Sequence, residues 1–185
     1  MILVESQHPQ RMMNLKEQMK KTEFLEDVWK AVHTGDLAML QKLLESDKKL
    51  VNSKSAYGRT PLMGAAQEGN TEMIELLLKL GANPNLQDTS GSTALMLASS
   101  NGKTGVALAL LAAGVDINFQ CSKGGTALMA AAAWGHFELV KLFLERGADP
   151  YLRDCDGETA WFYAADKFHK DITDLLEKFA PGSDC

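Results

Sequence analysis

A period of 33 residues runs through most of the chain and limits the folds that it can adopt. Threonine recurs at this interval, and two separate sets of glycines share it. The threonines are Thr60, Thr93, Thr126 and Thr159, and the glycines are Gly69, Gly102 and Gly135 in one set and Gly81, Gly114 and Gly147 in the other. Self-similarity at such a period is typical of repeat proteins, in which each unit is stabilised by the units beside it.

Each unit carries the signals of two short helices. In each unit the threonine can cap the first helix by accepting a backbone N–H. In the first full unit, Pro61 follows Thr60 at the first helical position, where a missing N–H costs nothing. Gly69 then interrupts the helix, and apolar residues at helical spacing come after it. Gly81 ends the second helix, because glycine adopts the left-handed cap without strain. The pattern predicts a helix-turn-helix in every unit.

The four units resemble the ankyrin repeat. They read GRTPLMGAAQEGNTEMIELLLKLGANPN, GSTALMLASSNGKTGVALALLAAGVDIN, GGTALMAAAAWGHFELVKLFLERGADPY and GETAWFYAADKFHKDITDLLEKFA. The family pattern is G-x-T-P-L-H-x-A-A-x-x-G-H-x-E-x-V-x-L-L-L-x-x-G-A-D-x-N. The resemblance implies an all-α solenoid of stacked helix-turn-helix units with β-hairpin-like finger loops. The histidine of the family pattern is replaced by Met63, Met96, Met129 and Phe162. We expect the methionines to form an inner packing row.

The period also sets the domain boundaries. We place an N-terminal extension at 1–22 and a single repeat domain at 23–185. The domain divides into an N-terminal capping repeat at 23–53, full repeats at 54–86, 87–119 and 120–152, and a C-terminal capping repeat at 153–180. The last unit is interpreted as a cap because Phe168 replaces the turn glycine. Its polar outer face is expected to comprise Lys170, Asp171, Asp174 and Lys178.

The composition argues against nucleic acids and membranes as partners. A formal net charge of -5 provides no basic field for a phosphate backbone. Nowhere do about 18 apolar residues follow one another without a charge or a turn signal. The cysteines, Cys121, Cys155 and Cys185, match neither a zinc pattern nor the disulfide framework of a secreted protein. We therefore expect reduced thiols and a cytoplasmic location.

We expect no catalytic residues, no cofactor and no metal site. The Gly-Lys-Thr sequence at 102–104 ends like a phosphate-binding loop, but Leu97 stands where that loop needs a glycine. The Asp-Cys-Asp-Gly sequence at 154–157 opens like a calcium loop, but Ala165 occupies the position of its last acidic ligand. The four histidines show no metal-ligand spacing.

The resemblance implies that a partner is bound beside the finger glycines and just before the turn glycines. Carried over position by position, the candidate partner-binding residues are Tyr57, Arg59, Gln67, Glu68, Ser90, Ser92, Ser100, Asn101, Lys123, Trp134, Asp156, Glu158 and Lys167. Trp134 is the first anchor candidate, because tryptophan is enriched at binding hot spots. The alternative is that it packs against Lys167 or Phe168 of the next repeat. Tyr57 and Arg59 form the second anchor candidate.

These features predict a non-catalytic protein–protein interaction module that is monomeric on its own. It would act as an adaptor, or as an inhibitor that covers a surface of its partner protein. Two alternatives stay open, namely an enzyme or small-ligand sensor that uses the groove, and a structural subunit of a larger assembly. The sequence does not identify the partner, because one fold hosts many unrelated roles.

Overall fold

The computed structural model describes residues 22–179, which form ten α-helices, one 3₁₀ turn and connecting loops without a strand. The helices are α1 (22–34), α2 (Leu37–Ser46), α3 (Pro61–Glu68), α4 (Thr71–Lys79), α5 (Ala94–Ser100), α6 (Thr104–Ala112), α7 (Ala127–Ala133), α8 (Phe137–Glu145), α9 (Ala160–Asp166) and α10 (Lys170–Glu177), and the 3₁₀ turn spans Lys48–Asn52. Their pairing confirms the all-α repeat solenoid. Of the extension placed at 1–22, only Thr22 is among the described residues, and it is helical. In the described part, no helix combines the length and the apolar character needed to cross a bilayer.

Threonine begins the first helix of each full repeat. The hydroxyl oxygens of Thr60, Thr93 and Thr126 accept the backbone N–H three residues later, at 3.4, 3.4 and 3.1 Å. Pro61 takes the first helical position of α3, as predicted. In the fourth unit, Thr159 stands at the same place but makes no such bond, so the expectation of a threonine cap in every unit was wrong there. Thr159 is half-buried whereas the other three threonines are buried.

The turn between the two helices of a unit requires a left-handed residue. Gly69, Gly102 and Gly135 provide it, with φ values of 84°, 66° and 73°. In the last unit Phe168 adopts the same conformation with a φ of 60°, and it is the one non-glycine residue between 22 and 179 with a positive φ. This conformation costs a residue with a Cβ atom roughly 1–2 kcal/mol. The C-terminal unit therefore carries backbone strain that the full repeats avoid.

The repeats bury their apolar faces against one another. The first helices α3, α5, α7 and α9 pack in series, and the second helices pack as α4 on α6 and α8 on α10. Met63, Met96 and Met129 are buried in this stack, which confirms the inner packing row. The Sδ atom of Met63 also accepts the backbone N–H of Thr60 at 3.4 Å. This bond completes a reciprocal cap at the start of α3.

The finger loops are hairpin turns that are joined to one another along the stack. Within each finger, a backbone N–H donates to the carbonyl four residues later and closes the turn. Between fingers, the N–H of Thr89 donates to the carbonyl of Tyr57 at 3.0 Å, and the N–H of Cys155 donates to the carbonyl of Lys123 at 2.9 Å. These bonds align the fingers beside the first helices.

Candidate functional site

The fingers and the first helices α3, α5, α7 and α9 together form the surface that we call the groove. Every partner-binding residue predicted from the sequence lies either on a finger or at the C-terminal end of a first helix. The repeat geometry thus brings all of the candidates onto the two kinds of element that make up the groove. They differ in how far their side chains are already engaged within the chain.

Tyr57 lies at the tip of the first finger, with its side chain 75% exposed. Its carbonyl accepts the backbone N–H of Thr89 at 3.0 Å and the Thr89 hydroxyl at 3.1 Å. The backbone is therefore fixed while the ring faces solvent. Glu68, at the end of α3, is also exposed. A side chain presented from an ordered backbone loses less entropy when a partner binds.

Arg59 is held between its own helix and the second finger. Its Nη1 atom donates to Oε1 of Gln67 at 2.8 Å, and its Nε atom lies 3.8 Å from Oδ2 of Asp88. The first contact joins finger to helix within a repeat, and the second joins two repeats. Arg59 and Gln67 therefore form a polar pair of fixed geometry, and the guanidinium has further donors for a partner.

Asp88 organises the second finger, although the sequence pattern did not identify it. Its Oδ1 atom accepts the Ser90 hydroxyl at 2.6 Å and the backbone N–H groups of Ser90 and Ser92 at 2.9 Å each. Burial by itself would raise the pKa of Asp88. The hydrogen bonds and the charge of Arg59 outweigh burial and hold this pKa below its usual value. The sequence did contain one indication of this role, because an aspartate, Asp154, recurs at the equivalent finger position two repeats later.

The candidates of the second repeat have hydrogen bonds within the chain. The hydroxyls of Ser90 and Ser92 lie 3.0 Å apart. The side chains of Ser100 and Asn101 each donate to the carbonyl four residues earlier, at 3.0 and 2.8 Å. A partner gains less from such groups than from unsatisfied ones, because it must replace existing bonds. The candidates in the middle of the groove are therefore expected to contribute least to the affinity for a partner.

Trp134 caps the C-terminal end of α7, and its side chain is 67% exposed. It lines a shallow depression together with Lys167 and His169 of the next repeat. Phe168, one of the two packing partners considered from the sequence, does not line this depression. The Nζ atom of Lys167 lies 3.0 Å from Oδ2 of Asp166. The indole is thus open to a partner, and because Lys167 lines the same depression, packing against Lys167 stays an alternative.

Asp154 organises the fourth finger in the same way as Asp88 organises the second. Its Oδ1 atom accepts the backbone N–H groups of Asp156 and Glu158 at 3.0 and 2.9 Å, and its Oδ2 atom accepts the Tyr163 hydroxyl at 2.5 Å. The bond from Tyr163 is the main reason that the pKa of Asp154 is lowered. The same bond, together with burial, raises the pKa of Tyr163 to about 12. At the finger tips, Asp156 and Lys123 are exposed.

The groove also contains an apolar pocket of about 210 Å³, which the sequence did not predict. It lies between the second and fourth repeats. Its lining comprises Ser92, Met96, Ser100, Cys121, Gly125, Thr126, Met129, Ala130, Ala133 and Tyr163. Ala130 and Ala133 leave the space open on α7. The run of alanines in α7 was the only signal, and close packing of helices explains it equally well.

Lys103 of the phosphate-loop-like sequence and His136 each pack against the turn glycine of the preceding repeat. The Gly-Lys-Thr sequence at 102–104 forms the turn of the second repeat, and its lysine side chain lies against Gly69 of the preceding repeat. The ring of His136 lies against Gly102 in the same manner, and its Nε2 atom is 3.1 Å from the carbonyl oxygen of Ser100. Over residues 22–179, no group of three His, Cys, Asp or Glu side chains is arranged to hold a metal ion.

Comparison with known proteins matches the repeat pattern. A family model described as ankyrin repeats (3 copies) matches residues 28–121 and 107–185. The ankyrin repeat, SAM and basic leucine zipper domain-containing protein 1 of Carollia perspicillata is 48% identical over 56 residues, which are 30% of this chain and 12% of that protein. Ankyrin repeat domain-containing protein 29 of Danio rerio is 43% identical over 68 residues, which are 37% of this chain and 23% of the relative. The chain thus matches less than a quarter of either relative.

Proposed function

The chain belongs to the ankyrin-repeat family, and on this premise we propose that it is a non-catalytic module that binds a partner protein through the groove. Repeats of this family are generally protein-interaction modules without catalytic activity. In this proposal the chain acts as an adaptor, or as an inhibitor that covers a surface of its partner.

The exposure of two aromatic side chains on groove elements carries the proposal. Tyr57 and Trp134 are 75% and 67% exposed, and each extends from an ordered backbone. Aromatic side chains dominate the energetics of protein interfaces when a partner covers them. We infer that they anchor the partner at two separate points along the stack.

The proposed site surrounds these anchors with polar groups. It comprises Tyr57, Arg59, Gln67, Glu68, Ser90, Ser92, Ser100, Asn101, Lys123, Trp134, Asp156, Glu158 and Lys167. Both signs of charge are exposed at the finger tips, where Lys123 and Asp156 lie on adjacent fingers. Exposed charges of this kind set orientation and association rate more than affinity.

Affinity purification from the native cell tests the proposal. The full chain is compared with a Tyr57→Ala, Trp134→Ala double variant, which is expected to keep its helical circular dichroism and lose the captured partner. Leu108→Ala is the matched control, because Leu108 is exposed on the second helix α6 and outside the groove. Capture of the same partner by the double variant, or its loss in the control, would contradict groove binding.

The apolar pocket favours a second candidate, a sensor of a small ligand. Its lining by Met96, Met129 and Cys121 suits an apolar molecule with few polar groups. A thermal-shift screen with small apolar compounds, nucleotides and metal ions separates the two functions. A compound that raises the melting temperature would support the sensor. If no compound changes the melting temperature, the result favours protein binding.

We further propose a cytoplasmic location, with neither nucleic acid nor a membrane as partner. Cys121 and Cys155 lie on adjacent fingers as unpaired thiols, and free thiols are typical of reducing compartments. The formal net charge of -5 opposes binding to phosphate backbones and to anionic lipid surfaces.

A further inference from the structure

The outer end of the last repeat exposes aromatic side chains. Trp161 and Phe162 on α9 are 42% and 43% exposed, and Phe168 in the following turn is 92% exposed. We call the surface of Trp161, Phe162, Ala165 and Phe168 the C-terminal face. The sequence predicted a polar outer face from α10 residues at this end. Charged side chains are present there, but the contribution of α9 is apolar.

The C-terminal face repeats a surface that the stack buries elsewhere. In the third repeat, the residues equivalent to Trp161, Phe162 and Ala165 are Leu128, Met129 and Ala132, which are 1%, 4% and 0% exposed. They are buried because α9 packs on α7. On α9 the same positions carry larger apolar side chains and no further layer among the described residues covers them. Among residues 22–179, this leaves a cluster of large apolar side chains open to solvent, which is typical of an interaction site.

Phe168 adds a second, independent observation. It occupies the turn position that glycine fills in the full repeats, and its φ of 60° is unfavourable for a residue with a Cβ atom. Its ring is almost fully exposed, so the isolated chain gains no burial in return. Strained residues of this kind are concentrated at functional contacts.

The polar groups around the C-terminal face include both signs of charge. Lys170 and Asp174 form an ion pair with an N···O distance of 2.9 Å. The indole Nε1 of Trp161 donates to Oε1 of Glu177 at 3.1 Å. Two copies of such a surface can meet without a field of like charges between them.

We propose that two copies of this chain associate weakly through their C-terminal faces about a twofold axis, in contrast to the monomer expected from the sequence. Continued stacking in the head-to-tail sense would need an apolar partner surface at the other end of the solenoid. The exposed large hydrophobic residues described for the chain begin at Tyr57, and none lies on α1 or α2. The C-terminal face is therefore its own best apolar complement, as an isologous contact requires.

The exposed area sets the expected strength of this dimer. The exposed parts of the three aromatic side chains amount to roughly 350 Å² per copy, about half of what one partner contributes to a standard interface. Ala165 and the charged rim supply the remainder of the contact. We expect dissociation in the micromolar rather than the nanomolar range.

Sedimentation equilibrium of the full chain between about 1 and 200 µM tests the dimer. We expect a dimer at the upper end, weakened at least about tenfold in dissociation constant by Phe168→Gly and by Phe162→Ser. Phe168→Gly is the decisive variant because it restores the residue that the turn prefers and so should fold. Tyr57→Ser is the matched control, an exposed aromatic outside the C-terminal face, and should leave the dimer unchanged.

Two outcomes would overturn the proposal. The chain could stay monomeric throughout that range, or it could form a dimer that both C-terminal variants leave intact, whether or not the Tyr57 variant breaks it. A monomer whose Phe168→Gly variant loses a captured protein would assign the face to a different partner and would equally refute self-association. Tyr57 and Trp134 lie outside the C-terminal face, so the double variant of these two residues tests partner binding separately from self-association.

Discussion

The hydroxyl of Tyr163 donates a hydrogen bond of 2.5 Å to Oδ2 of Asp154, and this bond joins helix α9 to the fourth finger. Tyr163→Phe removes the bond and keeps the ring. A hydrogen bond to a carboxylate that is partly open to water contributes about 1 kcal/mol. Urea unfolding should therefore show a loss of about this size, with the melting temperature lower by about 2–4 °C. Tyr57→Phe removes a hydroxyl from an exposed ring and should change neither value; an equal loss in both variants would argue against the role of this bond.

The same bond predicts a dependence of stability on pH. The hydrogen bond to Asp154 raises the pKa of Tyr163 from 10.0 to about 12, so the contribution of Tyr163 is complete below pH 10.0 and is lost as the pH rises towards 12. The bond from Tyr163 lowers the pKa of Asp154 below 3.8, so the contribution of Asp154 is complete above pH 3.8 and is lost as the pH falls through the lowered pKa. The difference in unfolding free energy between the unmodified chain and Tyr163→Phe should stay constant near neutrality and shrink at both extremes. Urea titrations at a series of pH values measure it, and a difference as large at about pH 11 as at neutrality would refute the assignment.

Phe168→Gly should relieve the strain of the last turn. The left-handed backbone costs phenylalanine roughly 1–2 kcal/mol, whereas the added freedom of glycine in the unfolded chain costs about 0.5–1 kcal/mol. We expect a net gain of roughly 0–1.5 kcal/mol in the free energy of unfolding in urea, measured at low protein concentration so that self-association does not contribute. Lys167→Gly is the control, because Lys167 has a φ of -98° and no such strain to relieve. It should lower stability, and a decrease in Phe168→Gly as large as in this control would contradict the strain.

The second repeat should open first when the native chain fluctuates. Its helix α6 contains Gly105, which costs about 1 kcal/mol relative to alanine in a helix, and it has no side-chain cap. By contrast, α4 is capped by Asn70, and α8, which also has no side-chain cap, contains no glycine. Hydrogen exchange should therefore be faster in α6 than in α4 or α8. Gly105→Ala should slow it, although the new methyl group would lie 3.1 Å from the Thr71 hydroxyl, which must turn aside. An α6 that is the best protected second helix would refute the prediction.

The sequence predicted those parts of the fold that depend on the repeat period, and it could not predict contacts made across loops. Thr60 caps the start of α3 and Gly69 adopts the left-handed conformation of the following turn, and both roles depend only on the local backbone. Their spacing in the sequence was therefore enough to place the helix and its turn. The Arg59 contact with Asp88 depends on how two fingers lie side by side, which no residue pattern encodes by itself. The replacement of the turn glycine by Phe168 was visible in the sequence. Its exposure was not, because burial at the end of a stack depends on whether another layer follows.

Trp134→Ala separates a binding anchor from a packing residue. Trp134 is 67% exposed and lines a depression together with Lys167. Truncation of the indole should therefore lower the stability of the fold only slightly. If it is an anchor, the affinity for the captured partner should fall by about 2 kcal/mol or more, which corresponds to about thirtyfold in dissociation constant, with an unchanged melting temperature. Titration calorimetry and thermal unfolding of the same preparations measure the two quantities. An unchanged affinity with a lower melting temperature would show instead that Trp134 stabilises the junction between the third and fourth repeats, and Tyr57 would then be the stronger candidate for the anchor.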